Sequence, residues 1–303
     1  MNRGEYLQYE VKPRLVPEVR YCGRQFSEGE IELIRRVIAE DPERTREKIS
    51  KSVCKMLGWY KSDGGLKGMS CKVALLRMQQ DGLIKLPPPR NRNGNGRVYG
   101  QYTLATEPDN SIDVSVEALS DLSLKLVVNT KESYLWNEYI ARYHYLGYNP
   151  LPGAQLRYFA VSPRQILGLM GFGASAWKVA PRDRFIGWSD EQRLKNLHLV
   201  VNNARFLILP WVKSKNLASK LLAMAAKGLP EDWHRRYKYR PVLMETFVEI
   251  QRFHGTCYKA ANWIYVGQTK GRGKCDVYNT AKLPIKNIWL YPLNKSFRSI
   301  LCS

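Results

Sequence analysis

Arg205-Phe-Leu-Ile-Leu-Pro210 and Val242-Leu-Met-Glu-Thr-Phe-Val248 are two apolar runs within one stretch, Asn202 to Arg272. Between them, Leu217 to Ala226 carries small and apolar residues at helical spacing. After them come Phe253-His-Gly-Thr-Cys-Tyr-Lys-Ala-Ala-Asn-Trp263, Ile264-Tyr-Val-Gly267 and a basic Gly271-Arg-Gly273. Short apolar runs bounded by turn residues read as buried strands, and apolar residues three and four apart read as helices. The stretch therefore predicts strand, helix, strand, short helix, strand.

The chain on either side extends the same sheet. A helix is expected from Thr130 or Lys131, with Leu135, Tyr139 and Ile140 inward, leading into Arg142-Tyr-His-Tyr-Leu-Gly-Tyr148. Arg157 to Val161 and Gln165 to Phe172 read as two strands joined at Ser162-Pro163-Arg164. Gly173 to Asp190 reads as an irregular loop and Leu194 to Val201 as a further strand. Ile288 to Pro292 is expected as a strand, followed by a terminal helix around Phe297 and Leu301. Strands alternating with helices over residues 129–303 indicate a mixed β-sheet flanked by helices, an α+β architecture.

The N-terminal part has a different pattern. Residues 1–24 read as an extended arm. Ser27-Glu-Gly-Glu30 is a capping box ahead of Ile31, Leu33, Ile34, Val37 and Ile38, and Asp41-Pro42 ends that helix. A second helix is expected over Thr45 to Leu57. A third is expected over Ser70 to Gln80, with Val73, Leu75, Leu76 and Met78 inward and Gly82 at its end. Leu83 to Leu86 and Val98 to Leu104 then read as strands around a basic loop. Three helices and a basic hairpin are the order of a winged helix, placed over residues 25–105. An acidic, Ser-rich linker is expected over residues 106–128.

Charge points to a polyanionic partner. The chain has 48 Lys and Arg against 27 Asp and Glu, a formal net charge of +21. From Arg44 to Ala105 there are 13 basic residues and 3 acidic ones. DNA is the expected partner. Lys72 and Arg77 sit on the third helix, where base edges or phosphates are within reach from a major groove. Arg90, Arg92 and Arg97 on the loop suit phosphates or a minor groove. Lys213, Lys215, Lys270 and Arg272 are further phosphate candidates, the last two in a glycine-flexible segment. No apolar run approaches the length of a membrane span and no signal-peptide core opens the chain, so no membrane role is expected and a cytoplasmic location is. The six cysteines form no C-x-x-C pair, which reads as reduced thiols and argues against zinc.

Five blocks occur in order: His144-Tyr-Leu-Gly147, Asn202-Asn-Ala-Arg-Phe-Leu-Ile-Leu-Pro210, Glu245-Thr-Phe-Val248, Gly255-Thr-Cys-Tyr-Lys-Ala-Ala-Asn-Trp263 and Thr269-Lys-Gly-Arg-Gly273. Together they resemble the protein A family of the Druantia anti-phage system, whose relatives occur beside or fused to transposases. The resemblance covers about Leu33 to Leu301. It implies a bacterial cytoplasmic defence or mobile-element setting, nucleic acid as target, and other system subunits, a helicase among them, as partners. Over about Tyr143 to Gly267 the chain is also similar to the GNAT acyltransferase fold, and within it to the Mom DNA-modification proteins of phages. That similarity maps a functional set onto His144, Glu245, Gly255, Tyr258, Ala260 and Asn262. One departure stands out. GNAT enzymes hold the acyl-CoA pyrophosphate on a glycine-rich turn opening the central helix, whereas the turn here is Trp211-Val-Lys-Ser-Lys-Asn-Leu-Ala218. Acetyl-CoA is therefore disfavoured as a cofactor.

His144, Glu245, Tyr258 and Asn262 are the catalytic candidates. His144 reads as a general base or metal ligand, or as a histidine packed among Tyr143 and Tyr145. Glu245 lies inside an apolar strand and is either functional or ion-paired with an arginine such as Arg205. Adjacent to each other, His144 and Glu245 would make an acid/base pair or part of a divalent-metal site. Tyr258 and Asn262 are four apart and are expected on one helical face; the alternative for Asn262 is a cap or turn contact. Three functions remain open: a DNA-binding defence component with a GNAT-like domain that binds or processes nucleic acid, a DNA-processing enzyme (a metal-dependent nuclease, a transposase-like strand cutter or a Mom-like base modifier), and a non-catalytic adaptor that recruits a helicase.

Overall fold

A computed structural model describes residues 19–89, 102–151, 153–163, 165–271 and 283–303. The chain divides into two compact units, Met1–Gly96 and Arg97–Ser303.

The first unit opens with a small hairpin, β1 (Val19–Tyr21) paired antiparallel with β2 (Arg24–Phe26). Residues 19–24 are thus part of a hairpin rather than of an extended arm. Three helices follow: α1 (Glu28–Ala39), α2 (Arg46–Met56) and α3 (Gly68–Gln80). The Ser27 and Glu30 side chains close a capping box at the start of α1, and the Thr45 hydroxyl accepts from the Lys48 N–H at the start of α2. Each such cap is worth about 1 kcal/mol. Phe26, Ile31, Ile34, Val37, Ile49, Val53, Cys54, Trp59, Cys71, Ala74, Leu75 and Met78 form the core of this unit. Helix α3 buries Cys71, Ala74, Leu75 and Met78, a stripe at i, i+3, i+4 and i+7. Val73 and Leu76, expected inward, fall off that stripe and are 37% and 40% exposed.

The winged-helix hairpin is not found among the described residues. Residues 83–89, expected to begin it, have no strand pairing. They are instead held by single contacts: Arg35 Nε donates to the Leu83 carbonyl, the Leu86 N–H to Gln79 Oε1, and Arg46 Nε to the Pro87 carbonyl. The expected loop arginines, Arg90, Arg92 and Arg97, lie outside the described residues.

The second unit is one seven-stranded sheet with helices on both faces. Its elements in chain order are β3 (Ser123–Leu126), α4 (Thr130–Tyr143), β4 (Leu156–Val161), β5 (Ile166–Ala174), α5 (Ala180–Ile186), α6 (Asp190–Asn196), β6 (Val200–Ile208), α7 (Leu217–Tyr237), β7 (Leu243–Glu249), α8 (Thr256–Ala260), β8 (Ile264–Gln268), β9 (Lys286–Pro292) and α9 (Phe297–Leu301). The strand order is β3-β4-β5-β6-β7-β9-β8. Every neighbouring pair is antiparallel except β6 and β7. Those two pair in parallel at Val200–Leu243, Val201–Met244 and Asn202–Glu245. Beyond that point no further β6–β7 pairing occurs, although both strands continue.

Three expectations are corrected here. Residues 106–128 are not a free linker. Ser123–Leu126 forms the edge strand β3, Ile112 bridges to Val212, and Thr106 is fully buried. Glu138 of α4 straps this segment down by accepting from the Thr103 N–H and from the Thr103 and Thr106 hydroxyls. The loop expected over Gly173 to Asp190 contains α5. The strands expected at Leu194–Val201 and Arg205–Pro210 are one strand, β6, because α6 and a short 3-10 turn occupy residues 190–199. No helix among the described residues is long and apolar enough to cross a membrane.

Candidate functional site

The sheet register places side chains on two faces. Arg157, Gly171 and Arg205 are cross-strand partners and point to the face that α4 covers. Gly171 leaves room there, since a Cβ would stand 3.1 Å from the Trp136 ring of α4 and 3.3 Å from the Arg205 Cβ, so that these neighbours would have to give by a few tenths of an ångström. The opposite face carries Tyr158, Met170 and Phe206, with the Tyr158 hydroxyl bonded to Asp232 of α7 at 3.0 Å.

Strand β6 bends between Asn203 and Arg205. Gly171 pairs with Arg205 and Phe172 with Asn203, which leaves Ala204 as an extra residue. Asn203 braces this bulge. Its side-chain amide donates to the Arg205 carbonyl at 3.2 Å and reaches the Gly171 carbonyl at 3.5 Å, and its Oδ1 accepts from the Tyr258 hydroxyl at 2.9 Å. Thr246 Oγ1 donates to the Asn203 carbonyl at 3.1 Å. The point where β6 and β7 part is therefore fixed by Asn203, Thr246 and Tyr258. Tyr258 is buried, and burial pushes its phenol well above the usual range.

The face under α4 holds two contrasting groups along β7. Glu245 is fully buried. It accepts from Arg182 Nη1 at 2.8 Å and from the Ala176 N–H at 2.8 Å. Arg182, also fully buried, bonds the Ala176 carbonyl and Asp183 and lies 5.6 Å from the Trp188 ring. Burial raises the Glu245 carboxyl and the Arg182 charge opposes that rise; with the guanidinium in direct contact, the pair stands as an ion pair. Its partner is thus Arg182, not Arg205.

His144 is the C-cap of α4 and 8% exposed. Its backbone carbonyl accepts from the Gly147 N–H, Gly147 has φ +58°, and His144 Nδ1 accepts from the Leu146 N–H at 3.2 Å. The His144-Tyr-Leu-Gly147 block is thereby a turn: glycine supplies the left-handed residue and histidine the capping acceptor. Burial, aided by the Arg205 charge, lowers the His144 pKa to about 4. Glu245 makes its hydrogen bonds to Arg182 and Ala176, and His144 to Leu146, and no hydrogen bond joins the two.

Around His144 gather residues that sequence reasoning did not select. Tyr145 stacks on the His144 ring with centroids 4.9 Å apart, and Phe253 meets Tyr145 edge-on at 5.3 Å. The Arg252 guanidinium lies 5.2 Å from the Tyr145 ring and bonds Glu249 Oε1 at 2.9 Å. Tyr145 and Phe253 are 37% and 47% exposed. Arg205 is half-buried, donates from Nη1 to its neighbour's carbonyl at 2.8 Å, and has no carboxylate partner among the described residues. Its Nε is buried with no hydrogen-bond partner. The signal for Arg205 was present, as an arginine opening an apolar run. The signal for Tyr145, Arg252 and Phe253 was not, since they meet only through the fold.

The other candidates are dispersed. Asn262 follows the end of α8 with φ +60° and is exposed. It does not share a helical face with Tyr258, because α8 ends at Ala260 and asparagine tolerates the left-handed turn. Lys72 is 3.5 Å from Glu47, and Arg77 is exposed on α3. Lys213 and Lys215 are exposed ahead of α7, in the turn where Asn216 takes φ +65°, and Lys270 is exposed. Arg272 lies outside the described residues. No group of three or more His, Cys, Asp or Glu among the described residues is placed to hold a metal ion.

A two-unit α+β protein with a seven-stranded mixed sheet and an arginine–aromatic cluster at the parting of two parallel strands is the class these features define. The chain belongs to the Druantia protein DruA family, whose model matches residues 77–287. No curated protein matches it in sequence. Among solved structures, a spermidine/spermine N-acetyltransferase SpeG from Vibrio cholerae is 11% identical over 59% of this chain and 97% of its own, with a TM-score of 0.36. A ribosomal-protein-S5-alanine acetyltransferase from Vibrio fischeri is 6% identical over 46% of this chain and 63% of its own, TM-score 0.31. The yncA protein of Salmonella typhimurium, solved with acetyl-CoA as its cofactor, is 14% identical over 46% and 66%, TM-score 0.30.

Proposed function

We propose that this protein is a DNA-contacting component of a Druantia anti-phage defence system. The observation that carries the reading is the cluster at the end of α4: two exposed aromatic rings, Tyr145 and Phe253, an arginine over one of them, and Arg205 lacking an acidic partner among the described residues. Stacked aromatics beside arginines bind unpaired bases and their phosphates with little regard to sequence. The net charge of +21 supplies the long-range attraction. In this reading Lys72 and Arg77 of the first unit, and Arg90, Arg92, Arg97, Lys213, Lys215, Lys270 and Arg272, add phosphate contacts. The setting is the bacterial cytoplasm, with other subunits of the system, including a helicase, as partners. Acyl transfer and metal-dependent cleavage are not part of the proposal.

The test is the affinity of the full chain for single-stranded and duplex oligonucleotides across a salt series. The Tyr145→Ala, Phe253→Ala double variant is expected to lose about tenfold or more in single-strand affinity, from stacking worth about 1–3 kcal/mol per base. The Arg92→Ala, Arg97→Ala double variant is expected to weaken duplex binding and flatten its salt dependence. Unchanged single-strand affinity in the first variant sinks the cluster as the contact surface.

A further inference from the structure

Neutral histidine has one donor and one acceptor nitrogen, and the bond made by one nitrogen fixes the role of the other. In His144 the acceptor is Nδ1, which takes the Leu146 N–H at 3.2 Å. The ring is 8% exposed and remains neutral near pH 7, with its pKa lowered to about 4 by burial and by the Arg205 charge. The proton therefore sits on Nε2, since the one side-chain hydrogen bond of His144 among the described residues is made by Nδ1. A general base or a metal ligand needs a free lone pair, and the only one on this ring is occupied.

Arg205 points to the same face of the sheet. Its Nη1 is held by the Ala204 carbonyl and its buried Nε has no partner. Glu249, the acid at the end of β7 on this face, is bonded to Arg252. Tyr145 covers the His144 ring and feels the charges of Glu249, Arg205 and Arg252. The place thus offers a neutral N–H and a guanidinium to an oxygen anion, and a half-buried guanidinium with no counter-ion among the described residues gains from such a partner.

We infer that His144 and Arg205 form a two-donor clamp for a phosphate oxygen, with His144 acting through its Nε2–H as a hydrogen-bond donor and not as a base or a metal ligand. The inference deepens the nucleic-acid reading of this cluster and rests on it for the source of the phosphate. A phosphodiester is the expected ligand; the phosphate of a small molecule offers the same oxygens. The bulge at Ala204 matters here, because the extra residue sets which way Arg205 faces.

The experiment uses the full chain labelled with nitrogen-15 at histidine, and two probes, a short oligothymidylate and inorganic pyrophosphate. Nitrogen resonances of His144 are expected to show Nδ1 unprotonated and Nε2 protonated at pH 7, with Nε2 shifting when either probe that binds is added. His144→Ala and Arg205→Gln are each expected to weaken binding about tenfold or more, the loss of one hydrogen bond to a charged group. His144→Gln, whose amide presents a donor near the Nε2 position, is expected to stay within about threefold of the native chain. If His144→Gln falls as far as His144→Ala, or if Nδ1 carries the proton, the donor role is overturned. If all three variants bind the oligonucleotide as the native chain does, the clamp is overturned while DNA binding stands. If the native chain binds pyrophosphate through this pair but no oligonucleotide, the clamp stands and the nucleic-acid reading fails. Thermal melts identify any variant that does not fold; the resonances of the native chain decide the donor role without it.

Discussion

Glu245 and Glu249 lie four residues apart on β7, on the same face of the sheet, yet they sit in opposite surroundings. Around Glu245 every charge is spent: Arg182 is bonded to Glu245, Asp183 and the Ala176 carbonyl, and both members of the central pair are fully buried. Around Glu249 the cations outnumber the acid. Arg252 is largely exposed and bonded to Glu249, and among the described residues Arg205 has no acid and His144 Nε2 no acceptor. The first arrangement holds a fold together. The second is suited to the anion proposed for it, because an unmatched cation in a half-buried place raises the free energy until something neutralises it. A carboxylate inside an apolar strand is thus no sign of chemistry by itself; the completeness of its partners decides.

Four experiments break or sharpen this contrast. Glu245→Ala is expected to destabilise the protein by about 3–5 kcal/mol, since it strands Arg182 in the interior. Urea unfolding measures it, and a variant that keeps its stability but loses defence activity reverses the structural reading of Glu245. Asn203→Ala removes the brace of the β6 bulge and leaves the Tyr258 hydroxyl without its acceptor. A loss of about 1–3 kcal/mol is expected, together with weaker phosphate binding through a misdirected Arg205.

The third experiment is acidification. The folded-state pKa of His144 is about 4, below the ordinary value of 6.5. Between these values the unfolded chain binds more protons than the folded one, so this group makes stability fall as pH falls through that window. From pH 7 to pH 5 the loss is about 2 kcal/mol, and His144→Gln abolishes that component. An unchanged pH slope in the variant means that His144 is not the buried neutral group described. The smallest effect concerns Glu249→Gln. Removing a negative charge beside the cluster is expected to strengthen phosphate binding by about threefold at low salt, an effect that high salt erases. The same measurement on a distant surface acid sets the baseline.

How much of this was legible depended on range. The capping box at Ser27 and Glu30 and the strands β4 and β5 follow from residues close in sequence, and the structure forms them. Strand β3 was read as part of a linker because Ser123–Leu126 is a short edge strand in a polar stretch, and its pairing partner lies more than thirty residues on, in β4. Helix α7 runs through Pro230 to Tyr237, well past the expected Ala226, because Leu229 and Trp233 are buried on its inward face. In the site, His144 was found by its rarity and its motif, and its role was left between a base or ligand and a histidine packed among tyrosines; the structure buries it against Tyr145. Only the Leu146 N–H, two residues on, assigns the nitrogen. Asn203 was passed over because a bulge is a property of two strands together, invisible in either one alone.

The brief parallel contact between β6 and β7 has a kinetic side. Within the one sheet, strands β3 to β6 form one antiparallel part and β7 to β9 another, and three residue pairs join them across the long α7 crossover. The joint is non-local, pairing β6 with β7 across the whole of α7 for only three residue pairs, so in folding it closes a long loop for little contact. In the native state it makes a seam: amides bordering the parting of the strands should exchange with solvent deuterium sooner than those of the β5–β6 ladder, and the cluster of His144 and Arg205 stands beside that seam.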